Sequence, residues 1–271
     1  MLHISAPGKL FISGEWSILE KGNICLVAAV NRRVHCQIDG LNGEEGKMQV
    51  YFSLKDFGIN VMGDFDGTKL NFVALTDEEK KKLQFAKEAV EISLRYLNEN
   101  SVKLRSFRLT SWGEDTNLEV DGKLTKVGFG SSAAAVVAIV AAVLRFHVQE
   151  LDKETIYKLS MIVHYFAQGK IGSGFDVAAS TYGGVFSYIA PDTEWLSVEI
   201  GKGEKIRDIV ESEWPLLEIE EQQIPENLHL LVAWTKSSAD TKEMIKNVKE
   251  WAKMNGEKYR ECMSAIGNAA I

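Results

Sequence analysis

A glycine- and serine-rich stretch near the middle of the chain has residue types suited to binding phosphate. It reads KVGFGSS over residues 126–132 and continues into the apolar run AAAVVAIVAAVL. Glycines let the backbone approach a ligand closely, and the first turn of a helix presents N–H groups that lack intrahelical partners. Such a helix start favours anions, and the hydroxyls of Ser131 and Ser132 could contact a phosphate oxygen or Mg²⁺.

The same residues also fit a plain turn that caps a buried helix. The loop lacks the G-x-x-x-x-G-K-[ST] order of a P-loop, and it lacks the third glycine of the dinucleotide fingerprint. Local chemistry therefore leaves both interpretations open, and other stretches of the chain must decide between them.

Two further stretches place a charged residue beside glycines. In APGKLFISGEW (residues 6–16), Lys9 lies between an expected Pro-Gly turn and an apolar strand, where it could neutralise phosphate or remain a solvated turn lysine. In QGKIGSGFDVAAS (residues 168–180), three glycines within six residues predict a tight loop. Asp176 at the mouth of that loop could orient an acceptor, bind a cation, or only cap a short helix.

Composition limits the class of protein. The chain has 271 residues and a formal net charge of -7, which argues against a nucleic-acid binder but not against a local basic pocket for a small anion. Its three cysteines show no metal-ligand spacing, which predicts reduced thiols in a cytoplasmic protein. The N-terminal residues do not resemble a signal peptide. The longest apolar stretch, Ala133 to Leu144, is shorter than the ~20 residues of a membrane span, so no membrane association is expected.

Periodicity predicts a mixture of strands and helices. Strands are expected at Ile24–Val30, Val34–Ile38, Met48–Leu54, Leu104–Thr110, Tyr182–Ala190 and Leu228–Trp234, with a hairpin turn at Asp121-Gly122. Helices are expected to start near Thr76, Ser132, Asp152, Thr241 and Gly256. Phe166 is placed on the buried face of the third helix. The mixture predicts an α+β protein with antiparallel or mixed sheets covered by helices, and a weak boundary between Pro191 and Pro225.

In their order along the chain, these stretches resemble the motifs of the GHMP kinase superfamily. APGKLFISGEW looks like the first motif, and KVGFGSSAA looks like the second, which holds the nucleotide. Within the superfamily, QGKIGSGFDVAASTYGG is similar to phosphomevalonate kinases, whereas mevalonate kinases usually carry a proline where this chain has Gly172. AWTKSSADT (residues 233–241) also resembles a phosphomevalonate kinase segment. The resemblance extends from Leu2 to about Met244.

The resemblance implies a two-lobed α+β fold and a reaction. A ribosomal-protein-S5-like domain is expected over residues 1–190, and a ferredoxin-like domain over residues 191–271. The second domain is expected to be incomplete, because the superfamily's C-terminal glycine-rich motif does not appear. The implied reaction transfers a phosphoryl group from ATP, with Mg²⁺, to 5-phosphomevalonate, giving 5-diphosphomevalonate on the mevalonate route to isoprenoids. A monomer or homodimer is expected.

The resemblance also implies roles for particular residues. Lys9 and Asp176 match catalytic positions, and Ser132 is the preferred ligand for Mg²⁺. Contacts to ATP are expected from Lys126, Gly128, Gly130, Ser131, Ser132 and Ala133. Contacts to the acceptor are expected from Gly8, Glu15, Lys170, Ser173, Gly174, Ser238 and Thr241, with Arg32 as a weaker candidate.

The chemistry of the acceptor ranks the two catalytic candidates. The second pKa of a phosphate monoester is about 6, so the acceptor is already largely deprotonated at neutral pH. The harder task is to bring two polyanions together, since like charges repel strongly in a cleft. We therefore expect Lys9 to matter more than Asp176. Residues 163–166 lack the acid that many relatives use for Mg²⁺, so water and ATP oxygens are expected to complete the metal shell.

Two alternative functions stay open. One is another small-molecule GHMP kinase, such as a mevalonate kinase. The other is a nucleotide-binding relative without catalysis, which the missing third motif suggests.

Overall fold

A computed structural model of the chain describes residues 1–114, 117–120, 123–126, 128–169, 172–233 and 241–270, with backbone alone for 117–120, 123–126 and 241–243. The strands in the described part are β1 (Leu2–Ser13), β2 (Ile24–Gly40), β3 (Met48–Leu54), β4 (Ile59–Phe65), β5 (Leu70–Phe72), β6 (Phe107–Gly113), β7 (Asn117–Val120), β8 (Lys123–Lys126), β9 (Val185–Ile189) and β10 (Glu218–Gln222). The α-helices there are α1 (Asp77–Glu99), α2 (Ser131–His147), α3 (Lys153–Gln168), α4 (Phe175–Tyr182), α5 (Thr193–Gly201), α6 (Ile206–Glu211), α7 (Thr241–Met254) and α8 (Gly256–Asn268).

A mixed sheet of eight strands forms the centre of the fold. Its order is β10-β9-β2-β6-β3-β4-β5, and β1 pairs with β2 beside this path. β3 and β6 run parallel, whereas the other neighbours are antiparallel. β7 and β8 pair as a separate hairpin. The expected α+β class with a mixed sheet is confirmed.

The long strand β2 organises this sheet. β1 follows it from end to end, β9 pairs with its first part and β6 with its last part. The two strands expected at Ile24–Val30 and Val34–Ile38 are therefore one, because β1 pairs with both and only its register shifts between them. The Pro-Gly turn expected before Lys9 is also wrong. Pro7 and Gly8 lie inside β1, where its register against β2 shifts.

The helices begin where their capping residues predict. Thr76 caps α1 in a capping box with Glu79, and Asp152 caps α3 by accepting from the Thr155 N–H. Every residue of α2 from Val136 to Leu144 is buried. Burial on all sides fixes α2 within the core, and so fixes the direction in which its N-terminus points. α7 and α8 begin at Thr241 and Gly256, as expected.

Other expectations need correction. β6 covers Phe107–Gly113 rather than Leu104–Thr110. β9 covers Val185–Ile189 rather than Tyr182–Ala190, because α4 continues to Tyr182 and two glycines with positive φ follow it. Phe166, expected on the buried face of α3, is 39% exposed.

The strand expected at Leu228–Trp234 is wrong for the part that the structure describes. Residues 228–233 have no regular structure, and Leu228, Leu230, Leu231 and Val232 are all exposed. A buried strand needs a neighbour that accepts its hydrogen bonds, and no strand of the described residues pairs with this run. Trp234 and the expected turn at 121–122 lie outside the described residues.

β10 pairs with β9, so the central sheet continues past residue 190, and the domain division expected there stays a prediction.

Within the described ranges, none of the helices combines the length and the apolar character that crossing a bilayer requires.

Candidate phosphoryl-transfer site

A backbone contact joins β1 to the glycine-serine loop. The N–H of Lys9 donates to the carbonyl oxygen of Phe129 at 2.8 Å. At the preceding residue, Gly8, a Cβ atom would lie closer than 3.0 Å to that same oxygen. The two segments, far apart in sequence, approach each other so closely that only glycine fits between them.

Gly130 opens the helix that follows the loop. It is the N-cap residue of α2 with φ +76°, and no side chain caps this helix end. The Ala134 N–H donates to the Gly130 carbonyl at 3.2 Å, so the N–H groups of Ser131, Ser132 and Ala133 precede the regular helical pattern. The uncapped donors and the helix dipole together make this end suited to an anion.

The side chains of this first turn differ in what they can offer. Ser132 is exposed and Ser131 is half-buried, so both hydroxyls lie near the surface at the helix start. Ala133 is fully buried, so only its backbone N–H could reach a ligand. Gly128 is exposed in the loop before the helix.

The Lys9 side chain lies across the loop. A Cβ atom at Gly130 would lie 3.0 Å from Lys9 Cγ, so the lysine stem passes directly over this glycine. The ammonium group lies 5.7 Å from the centre of the Phe11 ring and 5.0 Å from that of Phe175. Aromatic faces attract a cation without neutralising it. The positive charge of Lys9 therefore remains available to an anion bound at the start of α2.

A short helix brings Asp176 to the same region. Gly174, with φ +78°, is the N-cap residue of α4, and Asp176 lies in its first turn. Asp176 is thus not the capping residue, although its Oδ1 accepts from the N–H of Val177 at 3.0 Å. Among the described residues, the N–H of Val177 is the hydrogen-bond donor to the Asp176 carboxylate. The second carboxylate oxygen is therefore available for a ligand.

Two contacts fix α4 against β1. The Ser180 hydroxyl donates to the carbonyl of Pro7 at 2.8 Å, in a buried position. The rings of Phe175 and Phe11 lie 4.1 Å apart. Because Phe175 precedes Asp176 and contacts the Lys9 ammonium, the structure brings Lys9, the loop and the start of α4 together.

A cavity of about 550 Å³ adjoins the loop. Its walls come from β2, the β3–β4 connection, β6, α1 and α2. The loop side contributes Gly8, Phe129, Ser131 and Ser132, and the opposite side contributes Leu54, Asp56, Phe57, Lys82 and Phe85. Arg32, a weaker candidate for an anion contact, also lines it. A cavity of this size with mostly apolar walls suits a small organic ligand.

Carboxylates at the cavity wall are held by backbone donors. Glu114 accepts from the N–H of Arg33 at 3.1 Å and lies 3.3 Å from the ring of His35. The Arg33 N–H and His35 lower the pKa of Glu114, so it is ionised at neutral pH. Asp56 accepts from the N–H of Gly113 at 2.9 Å. Both carboxylates could accept from ligand donors through their remaining lone pairs.

Several expected residues are not brought to this site by the described structure. Lys170 and Ser238 lie outside the described residues, as do the side chains of Lys126 and Thr241. Glu15 is exposed beyond the end of β1. The roles suggested for these residues stay predictions.

The structure adds residues that the sequence patterns did not single out. Phe129 supplies the carbonyl that binds β1, and Phe175 forms an aromatic face beside Lys9. Ser180 ties α4 to β1, and Phe57 lies at the cavity. The one local signal was the position of Phe175 directly before Asp176, and the other contacts join distant segments.

The chain matches a known family over part of this site. Residues 84–184 match the family model described as GHMP kinases N terminal domain. The match includes the glycine-serine loop, α2 and α4. Over these residues the chain is similar to the GHMP kinases.

Relatives within the superfamily are named phosphomevalonate kinase. One, from Streptomyces sp. (strain CL190), is 30% identical over 246 residues, which cover 90% of this chain and 64% of the relative. Another, from Candida albicans, is 25% identical over 307 residues, covering 98% of this chain and 68% of the relative. The chain therefore spans about two thirds of the length of these relatives.

Solved structures show the same fold. The Lin0012 protein of Listeria innocua superposes with a TM-score of 0.80 at 22% identity, covering 98% of this chain and 69% of that protein. Streptococcus pneumoniae phosphomevalonate kinase, solved in complex with phosphomevalonate and AMPPNP, superposes with a TM-score of 0.71 at 23% identity. The match covers 99% of this chain and 74% of that protein.

The close approach at Gly8 gives a first prediction. Gly8→Ala should force the loop away from β1, lowering stability by about 1–3 kcal/mol and weakening Mg·ATP binding at least about tenfold. Gly40→Ala is the matched control, because nothing lies within 4 Å of the added methyl group. Calorimetric titration and thermal unfolding measure both effects. Equal affinity for Mg·ATP in Gly8→Ala and Gly40→Ala would contradict ATP binding at the glycine-serine loop.

Proposed function

We propose that this chain phosphorylates 5-phosphomevalonate with ATP, giving ADP and 5-diphosphomevalonate. The main support is that β1, the glycine-serine loop and α4 meet at one place. Lys9 on β1 lies across Gly130 of the loop, and Phe175 of α4 lies against the Lys9 ammonium. A cation over a helix start that suits an anion, beside the helix that carries a carboxylate, is suited to phosphoryl transfer, which needs mainly positioning and charge stabilisation. The names of the relatives and the ligands of the Streptococcus pneumoniae complex support this choice of substrates.

The proposal places ATP along the loop and the cavity. The triphosphate would bind the N–H groups at the start of α2, and the nucleoside would extend into the cavity. The fit rests on two observations: the first N–H groups of α2 have no side-chain cap, and the adjoining cavity has a volume of about 550 Å³. Pockets for ligands of this size usually measure about 300–1,000 Å³.

Mg²⁺ fits the donors of this end of the site. The Ser132 hydroxyl is exposed at the helix start and would hold the ion. In the described part of the chain, no three His, Cys, Asp or Glu side chains group into a metal site. Mg²⁺ often binds through few protein ligands and keeps several waters. When bound, the ion would neutralise charge on the ATP phosphates.

The acceptor would lie between Lys9 and Asp176. Its phosphate is largely dianionic at neutral pH, so it needs little help from a base. Lys9 would lower the repulsion between this phosphate and the terminal phosphate of ATP. Asp176 would orient the acceptor through its second carboxylate oxygen. The charge of Lys9 therefore has the larger part in the reaction.

An acceptor comparison tests the proposal. ADP release is measured with 5-phosphomevalonate and with mevalonate, side by side, on the same preparation. We expect turnover with the phosphorylated acceptor and at least about tenfold less with mevalonate, because mevalonate lacks the phosphate whose charge Lys9 is proposed to meet. Preference for mevalonate would assign the chain to the other kinase class, and ATP binding without turnover would indicate a non-catalytic relative.

The relative weight of the two catalytic candidates is a separate prediction. Lys9→Ala should lower kcat with phosphomevalonate by about 10²–10³-fold, the usual loss when a transition-state charge loses its partner. Asp176→Asn should lower it by less, about tenfold, because an amide still orients the acceptor. Lys202→Ala, which removes an exposed lysine paired with Glu199, is the control and should leave kcat unchanged. Normal turnover in Lys9→Ala with none in Asp176→Asn would reverse the assignment.

The cavity wall gives a prediction for the nucleobase. Phe57 lines the cavity, and 52% of its surface is exposed. A nucleobase stacked on the ring would cover this exposed surface. Stacking on an aromatic ring contributes about 1–3 kcal/mol per base, so Phe57→Ala should raise KM for ATP about tenfold with little change in kcat. Phe166→Ala is the matched control, since Phe166 is also exposed but does not line the cavity. An unchanged KM for ATP in Phe57→Ala would show that the base does not stack on Phe57.

A further inference from the structure

Two tyrosines are buried beneath the loop that precedes α4. Tyr157 on α3 and Tyr188 on β9 have no exposed surface, and their hydroxyl oxygens lie 2.7 Å apart. The Tyr188 hydroxyl also bonds the backbone carbonyl of Ser173. Neither tyrosine has a part in binding ATP or the acceptor as proposed above.

The direction of these hydrogen bonds follows from chemistry. A carbonyl oxygen can only accept, so Tyr188 donates its proton to Ser173, and Tyr157 must donate to Tyr188. Burial raises the pKa of both phenols, so both keep their protons at any ordinary pH. A directed chain of two bonds therefore runs from α3 through β9 to the loop.

The loop backbone lies directly on this pair. At Gly174, a Cβ atom would lie closer than 3.0 Å to Met161 Sδ and 3.0 Å from the Tyr188 hydroxyl oxygen. Gly174 also has a positive φ, which a side chain would strain. The loop is thus held from below by contact as well as by the hydrogen bond to Ser173.

Phe175 and Asp176 follow within three residues of this anchor. The ring of Phe175 lies 5.0 Å from the Lys9 ammonium, and Asp176 is the next residue. Ser180 fixes the later part of α4 to β1. The Ser173 carbonyl is therefore the anchor that fixes the first turn of α4.

We propose that Tyr188 is a positioning residue for phosphoryl transfer: its hydroxyl holds the Ser173 carbonyl and so fixes Asp176 and the face of Phe175 beside Lys9. Tyr157 orients the Tyr188 hydroxyl from behind. This inference rests on the proposed function of the site. A displacement of about 1 Å in a reacting group can lower a rate by about 10²-fold.

Tyr188→Phe tests the inference, because it removes one hydroxyl and keeps the ring. We expect kcat with phosphomevalonate to fall about 10–100-fold per folded molecule, while KM for ATP stays within about twofold, since the loop at 128–132 is untouched. Tyr157→Phe keeps the bond to Ser173, so its loss in kcat should be smaller. Tyr96→Phe, which removes the hydroxyl of a partly buried tyrosine on α1, is the control and should change neither constant.

Hydrogen exchange supplies a readout that does not depend on turnover. The amides of residues 172–178 should exchange faster in Tyr188→Phe than in the wild type, with the core of α2 unchanged. Wild-type kcat together with unchanged exchange would overturn the inference. Should Tyr188→Phe fail to fold, Tyr157→Phe carries the test, and normal kcat in that variant would overturn it. Absence of turnover in the wild type would instead refute the proposed function, and exchange would still decide the role of Tyr188.

Discussion

The hydrogen bond between the Lys9 N–H and the Phe129 carbonyl is the contact on which the site depends. It joins the first strand to a loop that follows it by more than a hundred residues, and Gly8 permits the approach. Residues 136–144 of α2 are all buried, so the body of this helix is fixed in the core. The bond from β1 to the loop before α2 then helps to set where the lysine charge lies relative to the helix dipole.

The rest of the site follows from that join. The Lys9 stem crosses Gly130, and its ammonium lies against aromatic rings rather than a carboxylate. The later part of α4 is fixed to the same strand through Pro7, and the residue before its N-cap is bound by Tyr188. β1 thus carries the cation, contacts the glycine-serine loop and binds the helix that carries Asp176. Transfer between two polyanions needs this arrangement before the substrates arrive, because the repulsion must be met by a fixed charge.

Sequence reasoning predicted the parts of this site whose chemistry is local. Thr76 with Glu79 and Asp152 marked helix starts, and the run after Ser132 marked a buried helix, since caps and periodicity act over a few residues. The contact of Gly8 with Phe129, the hydroxyl of Ser180 on Pro7 and the cavity wall at Phe57 could not be predicted, because each joins segments with no shared pattern. The run at 228–233 was misjudged for the same reason: its apolar residues fit a strand, but pairing depends on a neighbour.

We propose that this site adds a phosphoryl group to an existing phosphate. ³¹P NMR of the product formed from ATP, Mg²⁺ and 5-phosphomevalonate tests this most directly. The acceptor's single resonance should be replaced by two mutually coupled resonances of a diphosphate, in step with the formation of ADP. Formation of inorganic phosphate alone, or of a second uncoupled monoester resonance, would contradict it.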